Sequence, residues 1–325
     1  MYSWDDKTDD WATPGSYAYD AKSAPMRKTE GARSASEGPR TYANKGQPNT
    51  QLTDPKKLIT STSKNPLVIA VDVTGSMQRW PAEIFDRLPL LYYTLSQYRP
   101  DLEISFAAIG DAGCDRWPLQ TTEFAKGFDL EKRLAALYGE GGGGDEPESY
   151  GLFAWWLERH VTTPEAERPF LIVFGDATMH ETVPAAQIKH FAGDDPGQDA
   201  SSIVSWNEIS RRFNTWFLRR ATGRPGDAVE QQWAKAVGAQ QVVLMTDDQR
   251  AVDYAMGLVA RSWGHFGDFK QNMAARQDAG KIEELEKRLD EVVPRALVCP
   301  KCAAPVPLEA RGRVACAYCG ATIVV

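Results

Sequence analysis

Two runs of five apolar residues, Leu67–Val71 and Phe170–Phe174, restrict this chain more than any other feature. Each is apolar throughout rather than alternating, so each reads as a strand covered on both faces, as in the middle of a parallel sheet. Each run also ends in a carboxylate. Asp72 follows the first directly, and Asp176 follows the second after Gly175. In an open parallel sheet the carboxyl ends of the strands share one edge, and ligands bind there, where strand order reverses. The two aspartates therefore belong to one rim. Bare charges at that rim repel, and a bound cation resolves the repulsion.

Around these runs, strand and helix patterns alternate. Further strands are expected over 102–109, 214–218 and 241–245, with an edge strand over 116–122. A helix begins near Pro81, with Ile84, Leu88, Leu91 and Leu95 on one face, and Pro89 should bend it. Others are expected over 130–138, 150–160, 227–236 and 248–263, and 177–212 reads as an insertion. This alternation predicts an α/β fold: a Rossmann-like, doubly wound, mostly parallel sheet with helices on both faces, covering residues 66–263. Residues 1–65, rich in Ser, Gly, Pro, Lys and Asp, read as a disordered or extended arm. Residues 264–295 read as a helical connector whose stripe Ile282, Leu285, Leu289 and Val292 packs on a neighbour. Residues 296–325 form a separate small module.

Charge narrows the partners. The chain carries 37 Lys and Arg against 44 Asp and Glu, a net charge of −7. Residues 1–65 and 296–325 each carry net +2, which leaves −11 on the middle. An acidic body suits a cation site, and nucleic acid, which needs a basic surface, is not an expected partner. No apolar run approaches the ~18 residues of a membrane span, and the first residues lack a basic and apolar leader. The expectation is a cytoplasmic protein with no membrane partner.

The loop after the first run is Asp72-Val73-Thr74-Gly75-Ser76. Carboxylate, hydroxyl and hydroxyl at i, i+2 and i+4 offer three oxygen donors on one side of a tight turn, and Asp176 adds a fourth. Hard oxygens without His or Cys suit Mg²⁺, or Mn²⁺, and leave a position that a Glu or Asp from another protein can complete. A run of four glycines leads into Asp145-Glu146-Pro147-Glu148. Asp145 reads equally as a metal ligand or as the N-cap of the next helix, with Glu148 closing a capping box. Glu146 and Glu148 are expected to be solvated. His180, Asp111 and Asp115 lie near the rim in sequence, with solvated or surface roles as the default. Cys114 reads as a lone reduced thiol, and the tryptophans of the central region read mostly as core, with Trp80 or Trp117 the candidate for an exposed anchor to a partner.

Asp72-x-Thr74-x-Ser76 after an apolar strand, with Asp176 after a later strand, resembles the metal-ion-dependent adhesion site (MIDAS) of von Willebrand factor A (vWA) domains. The family's first motif is Asp-x-Ser-x-Ser, and Thr74 exchanges one hydroxyl for another. Its middle ligand is a Thr, where this chain has Asp145, and a subset of vWA-like sequences carries such a Gly-Gly-Gly-Asp-x-Pro-Glu loop. The resemblance covers residues 66–263. It implies a Mg-dependent site built from Asp72, Thr74, Ser76, Asp145 and Asp176.

Near the C-terminus, Cys299, Cys302, Cys316 and Cys319 form C-x₂-C-x₁₃-C-x₂-C. Two tight turns with paired thiolates match the four-cysteine zinc of a zinc ribbon, and a module of about 30 residues needs such a staple. Four thiolates leave no open position, so this zinc is structural.

These readings make the chain a non-enzymatic, protein-binding adaptor, with the ribbon as a second contact surface. Bacterial cytosolic vWA proteins with zinc ribbons resemble partners of AAA+ ATPases, kinases or phosphatases, including those of tellurium-resistance and phage-defence-like systems. The rival is a Mg-dependent hydrolase with Asp72, Asp145 and Asp176 as ligands and His180 as base. A third reading is a scaffold with an empty metal site.

Overall fold

The computed structural model describes residues 47–77, 80–127, 129–141, 147–166, 168–220, 226–245, 247, 250–274, 277–292, 313–316 and 319–324. In chain order the elements begin with β1 (Ile59–Thr60), β2 (Pro66–Asp72), α1 (Trp80–Tyr98), β3 (Glu103–Ile109) and β4 (Leu119–Thr121). Next come α2 (Asp129–Ala136), α3 (Tyr150–His160), β5 (Val161–Thr162), β6 (Phe170–Gly175) and β7 (Thr182–Val183). A helical turn at Ala185–Gln187 continues as a π-helix over Ile188–Ala192, followed by β8 (Ala200–Ser201), α4 (Ser202–Arg212) and β9 (Asn214–Arg220). Then follow α5 (Ala228–Val237), β10 (Val242–Met245), α6 (Ala251–Ser262), α7 (Phe266–Ala274), α8 (Ala279–Val292), β11 (Arg313–Ala315) and β12 (Thr322–Val324).

The central sheet has six strands in the order β10-β9-β6-β2-β3-β4, parallel except for the antiparallel edge strand β4. This is the α/β architecture expected from the apolar runs. From β2 the chain steps to β3 on one side, and β6 pairs on the other, so strand order reverses between β2 and β6. Side chains alternate across this sheet as a pleat requires. Leu67, Ile69 and Val71 face a core shared with α1, α6, α7 and α8. Val68 and Ala70 face a second core, shared with α3, α4 and α5. Both faces are covered, which is why neither strand shows a polar side.

Within 264–295 the chain forms α7 and α8, and Phe269, Met273, Leu285 and Leu289 are buried against α6. The arm needs revising. Residues 1–46 lie outside the described residues, but 47–65 pack onto the domain. Ile59 and Thr60 pair with Val161 and Thr162, and Ser61 and Ser63 are buried. Asp101 gathers donors from Ser63 Oγ (3.2 Å), Lys64 N (2.9 Å) and Asn65 Nδ2 (2.9 Å). Short polar side chains can order such a segment by bonding backbone and carboxylate groups, where apolar periodicity is lacking. The region 177–212 is also built in: β7 pairs with β8, and α4 packs on α3 through Trp206 and Ile209. Among the described residues no helix is long and apolar enough to cross a membrane.

Candidate functional site

Asp72 is the last residue of β2, and its carboxylate is fully buried at the carboxyl edge of the sheet. One oxygen, Oδ1, accepts from Thr74 N (2.9 Å) and Thr74 Oγ1 (2.6 Å), closing an Asx turn. The other, Oδ2, accepts from the Tyr150 hydroxyl. Gly75–Met77 then form a 3₁₀ turn pinned by buried Met77. Thr74 Oγ1 lies 3.3 Å from Ser76 Oγ, and Ser76 Oγ donates to Asp176 Oδ1 at 2.8 Å. The four residues Asp72, Thr74, Ser76 and Asp176 thus form a continuous polar run across the point where strand order reverses. Thr74 and Asp176 are buried, while Ser76 is exposed and opens the run to solvent. Arg220 Nη1 donates to the carbonyls of Ser76 (3.0 Å) and Met77 (3.1 Å), holding the turn from β9.

Tyr150 reaches Asp72 only because β6 ends in Gly175. A Cβ there would lie 2.1 Å from the Tyr150 hydroxyl oxygen. Tyr150 is in turn fixed by Trp233, 5.0 Å away edge-on, and Trp233 stacks on Phe217 at 3.8 Å.

The segment before α3 departs from expectation. Asp145 and Glu146 lie outside the described residues. α3 starts at Tyr150, and Ser149 at its N-cap makes no side-chain cap bond among the described residues. Residues 148–149 run instead between two loops. Glu148 N donates to Thr178 O (2.8 Å), His180 N to Glu148 O (3.3 Å), and Ser149 N to Gly110 O (3.2 Å). Long-range pairing thus places residues 148–149. Glu148, expected in solvent, is 3% exposed, and its Oε2 is buried with no hydrogen-bond partner among the described residues.

Burial raises the acids. Desolvation pushes Asp72 up to about 7, against hydrogen bonds from Thr74 and Tyr150. Desolvation, then the charge of Asp72, pushes Glu148 up to about 9, although the Thr74 hydroxyl opposes this. Asp176 is also raised by burial, moderated by Ser76, Arg220 and Arg219. Tyr150 is held well above the ordinary phenol value by burial and by the neighbouring acids.

Beside this run, Asp111 is buried rather than solvated. It accepts from His180 Nε2 (2.9 Å), Ser149 Oγ (3.2 Å) and Cys114 Sγ (3.4 Å). Burial raises its pKa, but the bonds from His180, Gly113 N and Cys114 and the His180 charge bring it below the ordinary value. His180 is therefore engaged by Asp111. Asp115 accepts from Asp111 N at 2.8 Å, and burial raises it. Trp80, considered as an exposed anchor, is buried in the core, and Trp117 is half-buried.

The oxygens able to hold a hard cation are those of Asp72, Thr74, Ser76 and Asp176, with Glu148 beside them. Among the described residues no three His, Cys, Asp or Glu side chains are placed to hold a metal by themselves. A cation here needs the hydroxyls as well. Three raised carboxyl groups and an unpartnered buried carboxyl oxygen fit the demand of such a group for compensation by positive charge.

At the C-terminus, β11 and β12 form an antiparallel hairpin. Cys316 and Cys319 sit in its turn, with Gly320 N donating to Cys316 O (2.9 Å) and Cys316 N to Ala321 O (2.8 Å). Cys299 and Cys302 lie outside the described residues.

No protein-family model matches this chain, and no curated protein matches it. Solved structures with some likeness include the proximal thread matrix protein 1 of the mussel byssus (crystal form 2). It is 10% identical, with a TM-score of 0.45, over 64% of this chain and 49% of that one. The pilus adhesin SpaC of Lactobacillus rhamnosus GG, in its open conformation, is 7% identical, with a TM-score of 0.44, over 66% of this chain and 31% of that one. The chain thus spans less than half of either structure's length, and likeness at this level carries no argument about function.

Proposed function

We propose that this chain is a vWA-type, non-enzymatic adaptor that captures a partner protein through a divalent cation at the sheet rim. The continuous run Asp72–Thr74–Ser76–Asp176 at the switch point carries this reading. Asp72, Thr74, Ser76 and Asp176 would hold Mg²⁺ or Mn²⁺, with Glu148 close by and Asp145 as a further candidate. Bound there, the cation supplies positive charge to an incoming carboxylate. This chain's residues do the rest. Tyr150 and Thr74 orient Asp72, Arg220 fixes the turn, and exposed Ser76 marks the side from which a partner's Glu or Asp approaches. The resemblance points to an AAA+ ATPase, kinase or phosphatase as the partner class, and to a cytoplasmic setting. Cys299, Cys302, Cys316 and Cys319 would hold structural zinc in a ribbon that adds a second contact surface.

The test is affinity capture from the native cell with the full chain. Wild type should retain a partner in Mg²⁺ and lose it in EDTA, and Asp72→Ala should lose it in both. Calorimetric titration with Mg²⁺ and Mn²⁺ should give heat for wild type only. Capture indifferent to metal and to Asp72→Ala would refute the proposal. Phosphatase or nuclease turnover abolished by Asp72→Ala would favour the hydrolase instead.

A further inference from the structure

Away from the rim, a cleft of about 450 Å³ opens between residues 48–56, the loop entering β4, and the π-helix. Its volume lies in the range of small-ligand sites, roughly 300–1,000 Å³. Lys56, Arg116, Trp117, His190 and Phe191 line it. Neither Lys56 nor Arg116 enters an ion pair among the described residues. Arg116 lies over the Trp117 ring at 4.7 Å, which leaves its edge donors available. Asp54, the acid on the wall, is held in a turn by the Lys56 N–H at 2.9 Å.

The walls are fixed in place. Glu140 accepts from Arg116 N (3.1 Å) and Trp117 N (2.7 Å), and Trp117 meets Tyr138 edge-on at 5.9 Å. His190 and Phe191 belong to the π-helix, a rare conformation that is concentrated at functional sites. That helix ends at Gly193, with φ +85°, and the stem of Lys56 packs there, 3.3 Å from where a Cβ would stand. The β4 edge is partly closed to an extended peptide here, because Thr121 N already bonds Thr53 O at 3.2 Å.

Two unpaired cations beside aromatic rings suit a compact ligand that joins an oxyanion to a flat ring. Arg presents a fork matched to phosphate, and aromatic faces take bases without sequence preference. We propose that this cleft binds a nucleoside monophosphate, with the phosphate between Lys56 and Arg116 and the base against the aromatic wall. This site is argued independently of the rim.

The test is calorimetric titration of the full chain with AMP, UMP, adenosine and inorganic phosphate, in EDTA. AMP should bind, with adenosine and phosphate at least about tenfold weaker, because each keeps half of the contacts. Lys56→Ala combined with Arg116→Ala should weaken AMP at least about tenfold, and both positions are exposed, so the fold should survive. Trp117→Ala should weaken AMP as well. No heat at millimolar nucleotide would overturn the proposal. So would AMP binding that survives the double variant but disappears with Asp72→Ala.

Discussion

The turn after β2 and the segment before α3 both deliver an acid to the same rim, by opposite means. Asp72 is placed by its immediate neighbours: its strand carries it to the edge, and Thr74, two residues on, accounts for both bonds to one oxygen. Glu148 is placed by distant ones. Its backbone is held by Thr178 and His180, and those residues follow Asp176 in the loop after β6. Gln232 of α5 secures that loop twice, accepting from Met179 N (2.7 Å) and donating to Met179 O (2.9 Å), while Trp233 Nε1 donates to Ala177 O (3.1 Å). A local device builds one half of the site, and tertiary packing builds the other.

The sharpest way to break that contrast is Trp233→Ala. The ring is fully buried against Phe217, Tyr150 and Trp206, so its loss should cost about 3–5 kcal/mol in denaturant unfolding. It should also loosen residues 177–180 more than 72–77, which amide hydrogen exchange can read.

Next in size is a pH effect. In the metal-free chain Asp72 and Glu148 titrate at about 7 and about 9, above their unfolded values near 4. Folded-state values raised in this way give stability that is full below the unfolded values and is lost as pH rises through 7 and then 9. Each group adds a slope of at most about 1.4 kcal/mol per pH unit between its two values. Thermal melts in EDTA should therefore fall from mildly acidic to alkaline pH, and Glu148→Gln should flatten the upper part of that fall. If Glu148→Gln leaves the profile unchanged, the distant half of the site contributes no titrating group.

The smallest effect on folding is expected from Ser76→Ala. It removes one exposed-side bond to Asp176 and should cost about 1 kcal/mol or less. If the proposed cation site is real, the same variant should weaken Mg²⁺ heat far more than it lowers the melting temperature.

The contrast also explains what could be read from the sequence. Asp72, Thr74, Ser76 and Asp176 were legible because strand periodicity fixes where a buried strand ends, and the loop spacing is local. The five parallel strands, α3 and α5 emerged within a residue or two for the same reason, and the edge strand β4 is shorter than expected. Glu148, Tyr150 and Asp111 were not legible, because their burial depends on pairing between residues 148–149 and 178–180. The local pattern favoured a capped helix there. Gly175, directly after an apolar run, was the available signal: a residue without a side chain at that edge announces that something passes over it, and here it is the Tyr150 hydroxyl.

The knot that Asp101 ties with Ser63, Lys64 and Asn65 has a mechanical consequence. It anchors the chain at the start of β2, at the opposite end of that strand from Asp72. A pull delivered from the N-terminal side is borne first by the bonds of Asn49 to Ala136 and Thr53 to Thr121, then by the β1–β5 rungs and this mooring, all of which must part before tension travels along β2. The acidic edge is thereby insulated from whatever tugs on the leading segment.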